Sequence, residues 1–169
     1  MTGRSRMVAI YAAAGMGAVF WVGALLAAPY LWSKGERLAL FIYACFSPVC
    51  HQIPERSLWL FGHPLAVCAR CFGIYSGFLG GLVLFPFRGG LRNLVQPKVR
   101  TILLASAPIA ADTTAQFLGL WETGPAGRFA TGFLWGGLLP FLFLPVLADL
   151  AIGPSKGSRG RNAGADFRA

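Results

Sequence analysis

Four long stretches of this chain are almost free of charge, and that feature restricts what it can become. Residues 7–32 contain no Asp, Glu, Lys or Arg. Residues 65–87 contain only Arg70, residues 101–121 only Asp112, and residues 129–152 only Asp149. About 20 consecutive, mostly apolar residues cross about 30 Å of hydrocarbon, so each run reads as a membrane span. Composition agrees. Hydrophobic residues make up 56% of the chain and charged residues 12%, against about 25% charged in an ordinary soluble domain. A chain of 169 residues cannot hide that much apolar surface in its own core. A disordered chain would need the opposite balance. The fold class expected is an all-α integral membrane protein, a four-helix transmembrane bundle.

A shorter apolar piece, residues 38–50, carries Pro48. It is too short to cross alone and reads as a re-entrant or interfacial segment. The first run exceeds the ~7–15 apolar residues of a secretion signal, so it is expected to stay as an uncleaved span. Residues 1–152 then form one transmembrane domain. Residues 153–169, rich in Gly, Ser and Arg, are expected to be a disordered basic tail.

The formal charge of +9 would suggest nucleic acid in a soluble protein. Here the basic residues flank the apolar runs, where they set membrane orientation, and nucleic-acid binding is excluded as an expectation. With four spans and a cytoplasmic N-terminus, ten of the fifteen Lys and Arg residues face inward, among them Arg88, Arg92, Lys98 and Arg100. Were residues 38–50 to cross, that basic connector would move outside. The expected location is therefore the cell membrane, with both termini cytoplasmic and residues 33–64 outside.

Gly73, Gly77 and Gly81 recur at four-residue spacing in the second span, and Gly132 and Gly136 do so in the fourth. Small residues at this spacing let helices approach closely in lipid. Packing within the bundle is the expected use.

All four cysteines fall in one region: Cys45, Cys50, Cys68 and Cys71, with His51 beside Cys50 and His63 ahead of the second pair. Two close pairs separated by 15–20 residues have a zinc-ribbon-like spacing. Thiolates and imidazoles suit a borderline-soft ion such as zinc. Cys68 and Cys71 lie one helical turn apart and can face one ion. Cys50 and His51 would complete the set, with Cys45 or His63 as substitutes, because adjacent ligands point to opposite faces of an extended strand. Two rival readings stand beside this one. An outer location is oxidising, so the thiols could form structural disulfides. A C-x2-C pair at a helix start, with Arg70 between its cysteines, also suits thiol–disulfide exchange.

The segments Cys50-His51-Gln52-Ile53-Pro54-Glu55-Arg56-Ser57 and Cys68-Ala69-Arg70-Cys71-Phe72-Gly73-Ile74-Tyr75-Ser76-Gly77 resemble the hallmark of the membrane-protein family called domain of unknown function 2085. The resemblance covers about residues 38–140 and extends to Asp112, Gln116, Arg128, Thr131 and Gly132. It implies a small multi-pass prokaryotic membrane protein and places Cys50, Cys68 and Cys71 in the family pattern. It implies no activity.

Asp112 sits near the middle of the third span, where a charge costs at least ~2.5–3.5 kcal/mol unless it faces the bundle interior. Gln116 shares its helical face. Arg70 and Arg128 begin the second and fourth spans, and Arg56 lies in the outer loop. Together these five residues could line a polar pocket, where arginines would suit an anionic group such as a lipid phosphate or carboxylate. The plainer reading is a structural ion pair with snorkelling arginines. The sequence has no Gly-rich phosphate loop, H-E-x-x-H or G-x-S-x-G motif. The function expected is an outward-facing Cys/His metal site, most simply zinc, capping a pocket for a small anionic or lipid ligand. A membrane thiol–disulfide oxidoreductase using Cys68 and Cys71 is the alternative, and a small transporter or channel subunit is the second.

Overall fold

The computed structural model describes residues 3–88 and 99–152. The expected tail at 153–169 and most of the basic connector lie outside the described residues. In order, the elements are α1 (Gly3–Ser33), α2 (Arg37–Phe46), β1 (Ser57–Leu60), β2 (His63–Cys68), α3 (Ala69–Leu84), α4 (Val99–Phe117) and α5 (Pro125–Ile152).

Two helical segments, Ser5–Ser33 in α1 and Pro125–Ala148 in α5, are long and apolar enough to cross a membrane. At 1.5 Å per residue they extend about 43 Å and about 36 Å. Their outward side chains are those that lipid solvates. Met16, Val19 and Phe20 of α1, with Leu134 and Phe143 of α5, are exposed. A soluble protein rarely leaves such a surface uncovered. The helix α3 is apolar but has only 16 residues.

Helix ends follow local chemistry. After α1 the chain turns at Gly35, with φ of 72°. There Gly35 N–H donates to Trp32 O and Glu36 N–H to Leu31 O, the paired bonds of a Schellman cap. Gly119 ends α4 in the same way, bonding Gln116 O while Leu120 N–H bonds Ala115 O.

The structure departs from an all-helical expectation at residues 65–68. These were expected to open the second span, but they belong to β2, which pairs antiparallel with β1. A short apolar run reads equally well as a buried strand or the start of a helix. Here the turn decides. Phe61 and Gly62 both have positive φ, the two-residue reversal that matches the twist of a hairpin. Leu60 then pairs with His63. Helix α3 starts only at Ala69.

The closest helix packing is between α3 and α5. A Cβ at Gly73 or Gly77 would collide with the backbone carbonyl of Phe129 or Phe133, and one at Gly81 with that of Gly137. From the other side, a Cβ at Gly132 or Gly136 would strike the carbonyl of Arg70 or Ile74. The expected glycine faces meet each other, backbone against backbone. One apolar cluster, with Leu25, Ala28, Phe46 and Val67, includes Cys50 and packs against Cys68 and Cys71. A second, with Met7, Leu82, Phe85 and Leu144, lies toward the other end of α3.

Candidate metal centre

Three chain segments converge on the sulfurs. Cys50 ends a tight turn after α2, its N–H donating to Phe46 O at 3.1 Å. Cys68 closes β2 and caps α3, and Cys71 lies in the first turn of α3. The Cys68 N–H donates to Cys50 Sγ at 3.1 Å, and Cys68 Sγ lies 3.4 Å from Cys71 Sγ. All three sulfurs fall within 4.8 Å of one another. None is in a disulfide. Hydrogen bonds from the Cys68 and Cys71 thiols, helped by the backbone N–H groups of Cys68 and Gln52, hold the Cys50 thiol far below its usual range despite burial. That favours a thiolate, the form that binds metal.

Gln52 braces this corner. It sits at φ 50°, uncommon for a residue with a side chain. Its Nε2 donates to Tyr43 O at 2.7 Å and to Ala66 O at 2.8 Å. The end of α2 is thereby tied to β2, and Cys50 is held against Cys68. The pattern of metal-type residues gave no sign of this brace, because Gln52 is not a ligand.

A tetrahedral zinc with bonds of about 2.3 Å needs sulfurs about 3.8 Å apart, close to what this triad offers. Among the described residues, no fourth Cys, His, Asp or Glu joins the group. His51, expected as a ligand, is exposed and is not gathered with the sulfurs, while its neighbour Cys50 is buried. Cys45 is exposed on α2. The His63 ring lies beside Trp32, with centroids 6.1 Å apart. Neither candidate substitute joins the triad.

A second constellation gathers where α3, α4 and α5 meet. Asp112 is buried and forms an ion pair with Arg70. Gln116 Nε2 donates to Asp112 Oδ1 at 2.9 Å. Thr123 donates to the same oxygen. Thr123 lies in the connection between α4 and α5 and carries no motif, so only the fold reveals it. Arg128 is buried, and its Nε has no hydrogen-bond partner. Arg56 is exposed but lies within electrostatic range of Arg128, as do Arg70 and Asp112. Asp112→Asn is expected to strand Arg70 without its counter-ion. The cost should be about 3 kcal/mol, the lower end for a broken buried pair, because the Arg70 side chain keeps 20% exposure. Unfolding in detergent measures it, and unchanged stability would show the pair to be dispensable.

A mostly helical chain with membrane-length apolar helices and a thiol triad at one end is a membrane protein carrying a candidate metal site. The family model described as "Predicted membrane protein (DUF2085)" matches residues 50–142, which include both the triad and the arginine constellation. The chain belongs to that family. It is 39% identical over 138 residues to an uncharacterized protein of Methanocaldococcus jannaschii, covering 78% of this chain and 88% of the relative. It is 36% identical over 90 residues to an uncharacterized protein of Methanothermobacter thermautotrophicus, covering 52% of this chain and 77% of the relative. No solved structure matches.

Proposed function

We propose that this protein is a four-helix transmembrane bundle of the cell membrane whose cysteine triad holds a zinc ion on the outer side. The ion caps a polar pocket for a small anionic or lipid ligand, lined by Arg56, Arg70, Asp112, Gln116 and Arg128. The observation that carries the reading is the meeting of three free thiols, one buried, within 4.8 Å. Thiols left close together without a bond between them suit a soft cation that neutralises their charge. Three protein ligands leave a fourth position for water or a ligand, as in zinc sites that bind substrate. The sidedness rests on the distribution of Lys and Arg.

The 3.4 Å contact between Cys68 and Cys71 also supports a second reading, thiol–disulfide exchange. Ion coupling at Asp112 has less support, because both carboxylate oxygens already accept hydrogen bonds.

Metal content and free thiols, measured on the same unreduced, detergent-purified protein, separate the readings. The expected result is about one zinc per chain, with the triad thiols reactive only after chelation. Metal-free protein with Cys68 and Cys71 oxidised would overturn the zinc site in favour of exchange.

A further inference from the structure

Among the described residues, two buried side-chain nitrogen or oxygen atoms lack a hydrogen-bond partner, Nε of Arg70 and Nε of Arg128. Both belong to the same constellation. Arg128 is only 8% exposed, and an arginine stays charged at any physiological pH. A buried charge without a partner is costly, and such groups call for a missing counter-ion or ligand.

Among the described residues, no carboxylate forms an ion pair with Arg128. Asp112 is the nearby carboxylate, but Arg70 takes one of its oxygens while Gln116 and Thr123 take the other. Arg56 and Arg70, of its own sign, lie in electrostatic range of Arg128, and so do Asp112 and the Cys68 sulfur. Arg70 and Arg128 thus share one buried carboxylate, and the exposed Arg56 adds a further positive charge nearby. A zinc ion bound by three thiolates would carry one net negative charge and still leave an excess. Arg128 lies in the first turn of α5, which contains no acidic residue, so the positive end of the helix dipole is also uncompensated.

The form of the free donors narrows the ligand. The Nε edge of a guanidinium donates two parallel hydrogen bonds, a geometry that fits oxyanions. Both Nε donors are unbonded here, and Arg70 already commits its Nη2 to Asp112. A carboxylate has two oxygens and one charge. A phosphate monoester has three terminal oxygens and about −1.5 to −2 charge at neutral pH.

We propose that Arg128, with Arg70 and Arg56, recognises a phosphate monoester dianion. Arg128 is the anchor, and the Asp112 network holds Arg70 in place beside it. This rests on the anionic-pocket half of the proposed function and is independent of the zinc. The dianion could be a lipid headgroup or a soluble phosphate, since both present the same atoms.

The test uses the full chain in non-ionic detergent, with three probes: inorganic phosphate, acetate, and micelles doped with phosphatidic acid against phosphatidylcholine. Phosphate is expected to bind at least 10-fold tighter than acetate. Phosphatidic acid binding tighter than inorganic phosphate would identify the headgroup as the source, and equal affinities would identify a soluble phosphate. Arg128→Gln should weaken phosphate binding at least 10-fold, and Arg128→Lys should recover only part of it, because lysine lacks the fork.

A second readout separates recognition from support of the fold. Without phosphate, Arg128→Gln should melt at or above the wild-type temperature, since it removes an unpaired buried charge. Equal binding of phosphate and acetate, unchanged binding by Arg128→Gln, or a variant that melts lower or fails to accumulate would overturn the proposal. Zinc measured on the same samples keeps the two ideas apart. Phosphate selectivity without zinc sinks only the metal centre, and zinc without phosphate selectivity sinks only the dianion site.

Discussion

Cys71→Ser is expected to lower metal affinity more than about 100-fold. Loss of an outer-shell partner alone costs about 10–100-fold, and Cys71 would be a direct ligand. Cys71 is the cleanest position to change. Cys68 sits at the junction of β2 and α3, in the N-cap position, where serine could form a new capping bond of its own, whereas Cys71 lies inside the helix. The close packing of α3 against α5 involves Gly73, Gly77 and Gly81, not the triad. Cys71→Ser protein should therefore still accumulate in the membrane, and its metal content can be compared with the wild type after chelator competition. Cys45→Ser is the internal control. Cys45 is exposed and outside the triad, so its loss should leave the metal in place. Full metal retention in Cys71→Ser would refute a site built on three thiolates.

The largest effect on stability is expected at the α3–α5 seam. Overpacking usually costs about 1–3 kcal/mol because neighbouring side chains can shift. At Gly77 the obstacle is the backbone of Phe133, and at Gly136 it is the backbone of Ile74. A helix backbone cannot step aside without separating the two helices. Gly77→Leu and Gly136→Leu should each cost more than about 3 kcal/mol, at or beyond that range. Gly17→Ala on α1 meets nothing within 4 Å. It should change stability by no more than about 0.5–1 kcal/mol, and in the favourable direction, since alanine suits a helix better than glycine. Unfolding in detergent compares the three. If Gly77→Leu behaves like Gly17→Ala, the two helices do not pack through their glycines.

Periodicity and charge carried much of this structure. The uncharged run at 7–32 lies within α1, and the four-residue glycine spacing marks the faces that meet between α3 and α5. The one-turn spacing of Cys68 and Cys71 and the burial of Asp112 could also be read in advance, because helix geometry and the cost of a buried charge are local rules. The hairpin could not. Residues 65–68 are as apolar as a span, and their strand conformation depends on a turn at Phe61 and Gly62 and on pairing with β1. His51 looked like a ligand by sequence proximity, yet its side chain is exposed while that of Cys50 is buried. Thr123 reaches Asp112 from a connecting segment, and nothing in its neighbours announces it. The hairpin and Thr123 share a cause: each depends on where a distant segment comes to rest.

The two constellations would also come into being at different moments of biosynthesis. All three sulfurs lie within residues 50–71, whereas the arginine group needs Asp112, Thr123 and Arg128 as well. Chains are made from the N-terminus at about 5–20 residues per second. The thiol triad is therefore synthesised seconds before Arg128 leaves the ribosome. An ion captured at that stage would close the hairpin on the start of α3 while α5 was still unmade. The growing chain would have a fixed corner before its glycine-faced partner helix arrived to dock.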